Sequence, residues 1–188
     1  DSLDKIYRGK TIAEASSMRN QSPEETIIDL VIEDDSRIQC VYYSMSEENL
    51  RKKISLPWVS FCSDAGSYSD IKKDFRTHPR AFGSFIRVIG KFSRDEGVLT
   101  LEEAIRKLSG FPAKTLELDR RGTIENEKFA DIVVFDPEKA ADLATFNEPL
   151  QFAKGVEMVI VNGEIVLKNG NHTGKFPGRF VKGIGKDL

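Results

Sequence analysis

Two short apolar runs, RIQCVYY at 37–43 and WVSFC at 58–62, each follow a segment with helix-start signals, and this alternation restricts the chain more than any other feature. The first signal is SPEE at 22–25. Ser22 can cap the amide of Glu25, Glu25 can reach back to Ser22, and Pro23 occupies the first helical position. Ile27, Ile28, Leu30 and Val31 then predict a buried helix face. The second signal is SEEN at 46–49, opening a helix that carries Leu50 and Ile54, with Pro57 closing the connection to WVSFC. Helix, strand, helix, strand is the pattern of a parallel sheet with crossover helices, whose strands are apolar because both faces are covered. Catalytic and binding groups collect at the carboxyl ends of such strands. The run WVSFCSDAG brings Asp64 to one of those ends. Read alone, SDAG is equally an ordinary turn after a strand, because Asp and Gly make turns everywhere.

From Thr77 the pattern stays helical. THPRAFGSFIRVIGKF enters through His78-Pro79 and carries Phe82, Phe85, Ile86, Val88, Ile89 and Phe92; TLEE at 100–103 is a second capping box, opening a helix with Leu101, Ala104, Ile105 and Leu108 that ends at Gly110. After Gly122 the character changes. ADIVVFDP at 130–137 is a strand ended by proline, and VEMVIV-NG-EIVLK at 156–168 is a hairpin whose Asn162-Gly163 pair is the strongest short-range turn signal. The expected organisation is an α/β region over residues 1–119 and a small antiparallel β unit from 120, with its strands inside 120–175. So few strands leave open edges, so partner strands are expected from elsewhere.

Composition excludes several classes. With 188 residues, 39% hydrophobic and 31% charged, the chain suits one globular domain or pieces of two. Lys and Arg number 28 against 30 acids, a net charge of −2, and the basic residues are scattered, so neither nucleic acid nor an anionic membrane is an expected partner. No apolar run approaches the ~18 residues of a transmembrane helix. Cys40 and Cys62 each lie in an apolar run and read as buried thiols, which predicts a reducing, cytoplasmic compartment. The first residue is Asp1 and helical spacing begins at once, as in a chain entered part-way.

A series of motifs then stands in one order: GKTIAEAS, YYSMSEENL, SDA, HPRAFGSFIRVIGKF, LTLEEAIRKLSGFPA, ADIVVFDPEKAADLATFNEP, GVEMVIVNG and TGKFPGR. The series resembles the carboxyl-terminal part of the N-acyl-D-amino-acid deacylases, the D-aminoacylase branch of the metal-dependent amidohydrolases, over essentially the whole chain. The resemblance implies the last strand-helix units of a TIM-type (β/α)8 barrel, residues 1–119, followed by the carboxyl-terminal share of a composite β-sandwich domain, residues 120–188. It implies Zn2+ as cofactor, held by histidines and a cysteine at positions this chain does not contain. It further implies a small N-acyl amino acid as substrate. The chain by itself is expected to be inactive, and a half-barrel with bare edges is expected to form homo-oligomers.

Amide hydrolysis needs an activated water, oxyanion stabilisation and a proton for the leaving amine. The resemblance places Asp64 as the carboxylate that relays the proton, and as a possible zinc ligand. Arg80 is the candidate for binding the substrate's free carboxylate bidentately, the alternative being a surface salt bridge. Tyr42 and Met45 resemble positions lining the substrate side-chain pocket and could equally be core. His78, at a helix entry, is either structural or on the rim of the site; His172, in NGNHTG, reads as a solvated loop residue. Neither histidine has the spacing of a metal-binding pair. Ala65 stands where the family usually has glycine, and SYSDIKKDF at 67–75 is more charged than the family pattern, so substrate preference stays open. Two alternatives remain beside the deacylase: a cyclic-amide hydrolase of the hydantoinase or dihydroorotase kind, for which Arg80 has less use, and a non-catalytic module.

Overall fold

The computed structural model describes residues 2–35, 38, 40–66, 77–181 and 183, which fall into two compact units, 1–45 and 46–188.

The first unit contains α1 (Ser2–Tyr7), α2 (Ile12–Arg19) and α3 (Pro23–Asp34). The capping box expected at Ser22 is formed, with Ser22 Oγ accepting the Glu25 amide at 3.2 Å and Glu25 accepting the Ser22 amide at 3.0 Å. A capping box at Thr11 and Glu14 starts α2 in the same way. Asn20 stops α2 in the left-handed region (φ 53°), and α3 folds back on α2 with Ala15, Ser16, Thr26 and Leu30 buried. Of the four residues expected on the buried face of α3, only Leu30 is buried; Ile27, Ile28 and Val31 are exposed. A single helix packed on one side of α3 covers one stripe, and the apolar face here is wider than that stripe.

In the second unit, α4 (Glu47–Ser55) starts at Ser46 as expected, and Ile54 enters the core. The helix α5 (Arg80–Arg87) runs directly into a π-helical stretch, Val88–Asp95. Its two sides serve different cores. Val88 and Phe92 pack with Ile54, Leu99 and Ala104, while Ile86 and Ile89 pack on Ala140 beneath the sheet. Each such aliphatic or aromatic side chain, when fully buried, contributes about 1.5–3 kcal/mol. Gly90 lets the helix touch the 136–141 turn, since a Cβ there would stand 2.3 Å from the Ala140 carbonyl oxygen. Arg94 locks that contact by donating to the carbonyls of Pro137, Glu138 and Ala140 at 2.8–3.2 Å.

Next come α6 (Leu101–Leu108) and α7 (Gly110–Thr115). Thr100 caps α6 as expected, but the reciprocal half of that box is missing, because the Glu103 carboxylate is held by Arg106 at 2.7 and 2.8 Å. A guanidinium fork outcompetes a single backbone amide for a carboxylate. The β region follows its pattern closely. β1 (Ile132–Phe135), β2 (Val156–Val161), β3 (Glu164–Lys168) and β4 (Asn171–His172) make one antiparallel sheet in sequence order. Asn162 and Gly163 have φ of 48° and 83°, as a tight hairpin with matching twist requires.

The two runs expected as buried parallel strands form no ladder among the described residues. Ile38 and residues 40–43 are exposed and belong to no helix or strand, while Arg37 and Gln39 lie outside the described residues. Residues 59–66 alternate, with Val59, Phe61, Ser63 and Ala65 half-buried and Ser60, Cys62, Asp64 and Gly66 exposed. That is the burial rhythm of a strand with one face covered and the other bare. Both cysteines are exposed, contrary to the buried-thiol expectation, because each stands on an uncovered side of its run.

Candidate active site

Asp64 ends the half-buried run in the left-handed region, φ 48°, a conformation Asp tolerates better than most residues. Its side chain is 78% exposed and one carboxylate oxygen lies 3.0 Å from an Arg80 guanidinium nitrogen. Arg80 is the first residue of α5, which fixes where its side chain starts. The pair is solvent-exposed and contributes little to stability, so either partner can exchange it for a ligand. Arg80 carries five N–H donors, and the contact with Asp64 leaves donors for a second anion.

His78 sits two residues before Arg80, and its Nδ1 accepts the Arg80 backbone amide at 3.1 Å. Its ring meets Phe146 edge-on at 4.9 Å. Burial, reinforced by the neighbouring Arg80 charge, holds the imidazole below its ordinary pKa, so at neutral pH it is uncharged. His78 therefore shapes the helix entry. Beside it opens a cavity of about 390 Å³ walled by Arg80, Gly83, Arg87, Asp142 and Phe146. Arg87 grips Asp142 at 2.6 and 2.8 Å across the cavity, and Gly83 makes room for that carboxylate, since a Cβ there would come within 3.0 Å of the Asp142 Cβ.

Tyr42 and Met45 belong to the other compact unit and are 82% and 72% exposed. Neither is core. The Tyr42 hydroxyl hydrogen-bonds the Cys40 thiol, which raises the phenol's pKa. His172 is exposed in β4, as its polar surroundings suggested. The stretch SYSDIKKDF at 67–75 lies outside the described residues.

Arg87 and Asp142 went unread in the sequence. Arg87 had a signal, standing seven residues after Arg80 and so on the same helical face. Asp142 had none, being 55 residues away in a loop.

Among the described residues no group of three or more His, Cys, Asp or Glu stands close enough to hold a metal ion. Asp64 is turned to Arg80, and the His78 Nδ1 lone pair is taken by an amide. These side chains alone do not fit a metal centre, and at most Asp64 could join ligands from elsewhere.

The model of the Amidohydrolase family matches residues 59–167, from the run that carries Asp64 to the end of the hairpin. The chain belongs to the amidohydrolase family. Among curated relatives of this amidohydrolase, the D-aminoacylase of Alcaligenes xylosoxydans xylosoxydans is 33% identical over 171 residues, covering 91% of this chain and 33% of the relative. A D-aminoacylase solved to define the role of its binuclear metal centre, with one-metal activation and second-metal attenuation, superposes with a TM-score of 0.77. It is 33% identical over 92% of this chain and 34% of its own. The N-acyl-D-glutamate deacylase of Bordetella bronchiseptica, complexed with zinc and a phosphonate mimic of the tetrahedral intermediate, gives a TM-score of 0.72. It is 29% identical over 87% of this chain and 33% of its own. The amidohydrolase chain described here thus spans about a third of the length of the relatives it matches.

Proposed function

We propose that this chain supplies the carboxyl-terminal share of a zinc-dependent deacylase that hydrolyses N-acyl-D-amino acids to a carboxylate and a free D-amino acid. Residues 1–119 contribute the last strand-helix units of a TIM-type barrel and residues 120–188 the end of its β domain. The half-buried run 59–66, with one covered and one bare face, is the observation that favours a barrel strand lacking its neighbours. The metal ligands, Asp64 apart, come from outside the described residues, and the isolated chain is inactive.

The reading is carried by the juxtaposition of Asp64 and Arg80 at the end of that run. Asp64 accepts the proton of the attacking water and returns it to the departing nitrogen. Arg80 takes the substrate's free carboxylate with its remaining donors, which draws that anion close to the proton carrier. The neutral His78 adds no charge to compete with Arg80 for the anion. Tyr42 and Met45, both exposed, are available to line the side-chain pocket.

The test is steady-state hydrolysis of N-acetyl-D-amino acids by the metal-loaded enzyme containing this chain. Asp64→Asn should lower kcat by about 10²–10⁴-fold, the range for losing a general acid-base group. Arg80→Ala should raise KM for substrates with a free carboxylate and leave a cyclic amide nearly untouched. A fully active Asp64→Asn variant would sink the assignment, and turnover of a hydantoin or dihydropyrimidine that outpaces every N-acyl amino acid would replace it with the cyclic-amide reading.

A further inference from the structure

Lys107 is fully buried, at 0% exposure, on the inner side of α6. Its Nζ donates to the carbonyls of Ile54 and Leu56, the second at 2.7 Å. One residue earlier, Arg106 donates to the Pro57 carbonyl at 2.7 Å while forking onto Glu103. Three carbonyls at 54, 56 and 57 thus end on two neighbouring cations. Among the described residues, no carboxylate stands within ion-pair distance of Lys107, and burial lowers its pKa. An ammonium taken out of water with carbonyls and one aromatic ring as partners is a costly way to close a helix, since Gly or solvent would satisfy the end of α4.

What the lysine holds is the exit from that helix. The run that carries Asp64 leaves from the 54–57 turn. Near its start two contacts hold it: the Val59 amide donates to the Leu56 carbonyl at 3.2 Å, and the Phe61 ring packs against the core with Lys107 Nζ 5.4 Å from its centroid. Lys107 touches both the turn and Phe61, three residues before Asp64. We propose that Lys107 is a positioning residue for Asp64: by clamping the 54–57 turn and the Phe61 ring it sets where the carboxylate meets Arg80, with Arg106 as the outer half of the clamp. The proposal rests on the reading of Asp64 as the proton carrier.

The experiment measures kcat and KM on the metal-loaded enzyme containing this chain, normalised to folded protein by circular dichroism, for Lys107→Met, Arg106→Met and Asp64→Asn, and for Lys107→Met combined with Asp64→Asn. A positioning role predicts that Lys107→Met lowers kcat at least tenfold with KM within twofold, and that the same change alters the residual rate of Asp64→Asn by less than twofold. Arg106→Met, at the solvent side, should lower kcat two- to fivefold. A merely structural lysine would reduce the folded fraction and leave kcat per folded molecule intact, which overturns the proposal, as does an equal loss in both backgrounds. Should Lys107→Met fail to fold, Arg106→Met decides, and an unchanged kcat there overturns the clamp. A wild-type rate in Asp64→Asn removes the reading of Asp64 and the clamp together. A dead Asp64→Asn beside fully active clamp variants removes the clamp alone.

Discussion

The hairpin at 156–168 and the run at 58–66 are both rich in apolar residues, yet the first is a laddered sheet and the second makes no ladder among the described residues. The difference lies in where each finds its partner. β2 meets β3 across two residues, with Val161 opposite Glu164 and Ile160 opposite Ile165. A parallel strand finds its neighbours only after a long crossover, so its backbone pairing depends on distant chain. Local partners make a strand self-sufficient, whereas non-local ones make it conditional on the rest of the fold. Asp64 of the candidate site stands on the run without a ladder among the described residues, and the sheet carries none of the site.

The sheet is most sensitive at the seam where it meets the helical part. Gly155 enters β2 at φ 84° with no room for a side chain, because a Cβ would stand 2.6 Å from the Ala140 amide nitrogen. Gly155→Ala therefore combines left-handed strain with a backbone clash, and we expect a loss of about 3 kcal/mol, seen as a lower urea midpoint at unchanged slope. An unaltered midpoint would mean that the sheet folds without this seam. A smaller effect is expected at the hairpin itself. Gly163→Val puts a β-branched residue at φ 83° with nothing crowding it, so only backbone strain is charged, about 1–2 kcal/mol in the same titration. A loss as large as that of Gly155→Ala would show that the hairpin, and not the seam, governs the sheet.

Legibility in the sequence follows the same division. The Asn162-Gly163 turn, the Ser22 box and the Ser46 cap could be read because cause and effect lie within a few residues. At Thr100 half the box could be read and half could not, since the sequence did not say that Glu103 would turn to Arg106. Gly90 against Ala140, Arg87 with Asp142 and Lys107 with Ile54 each join segments roughly fifty residues apart, and no periodicity encodes those meetings. Asp64 and Arg80 were legible as a rim pair through resemblance, and the structure brings them into contact; Tyr42 and Met45 were legible only as two possibilities. The buried thiols failed because apolar neighbours in sequence do not cover a side chain unless the second face of the strand is also covered.

The smallest energetic effect carries the sharpest test of the run at 59–66. Cys62 is exposed on the bare face of the run, so Cys62→Ser should change stability by no more than about 0.5 kcal/mol in this chain. The native thiol should also react with a thiol reagent at the rate of a free cysteine. The same residue offers a second reading in a longer protein containing this chain. If the bare face of 59–66 is a barrel strand, neighbouring strands and helices cover it there, and the Cys62 thiol becomes slow to label while the hairpin's stability is unchanged. Equal labelling rates in the two contexts would mean that the face stays bare in both, and the strand would then be a solvent-exposed arm rather than a wall of a barrel. Asp64 would in that case stand at the end of a loose segment, and its pairing with Arg80 would have to be explained without a barrel to present it.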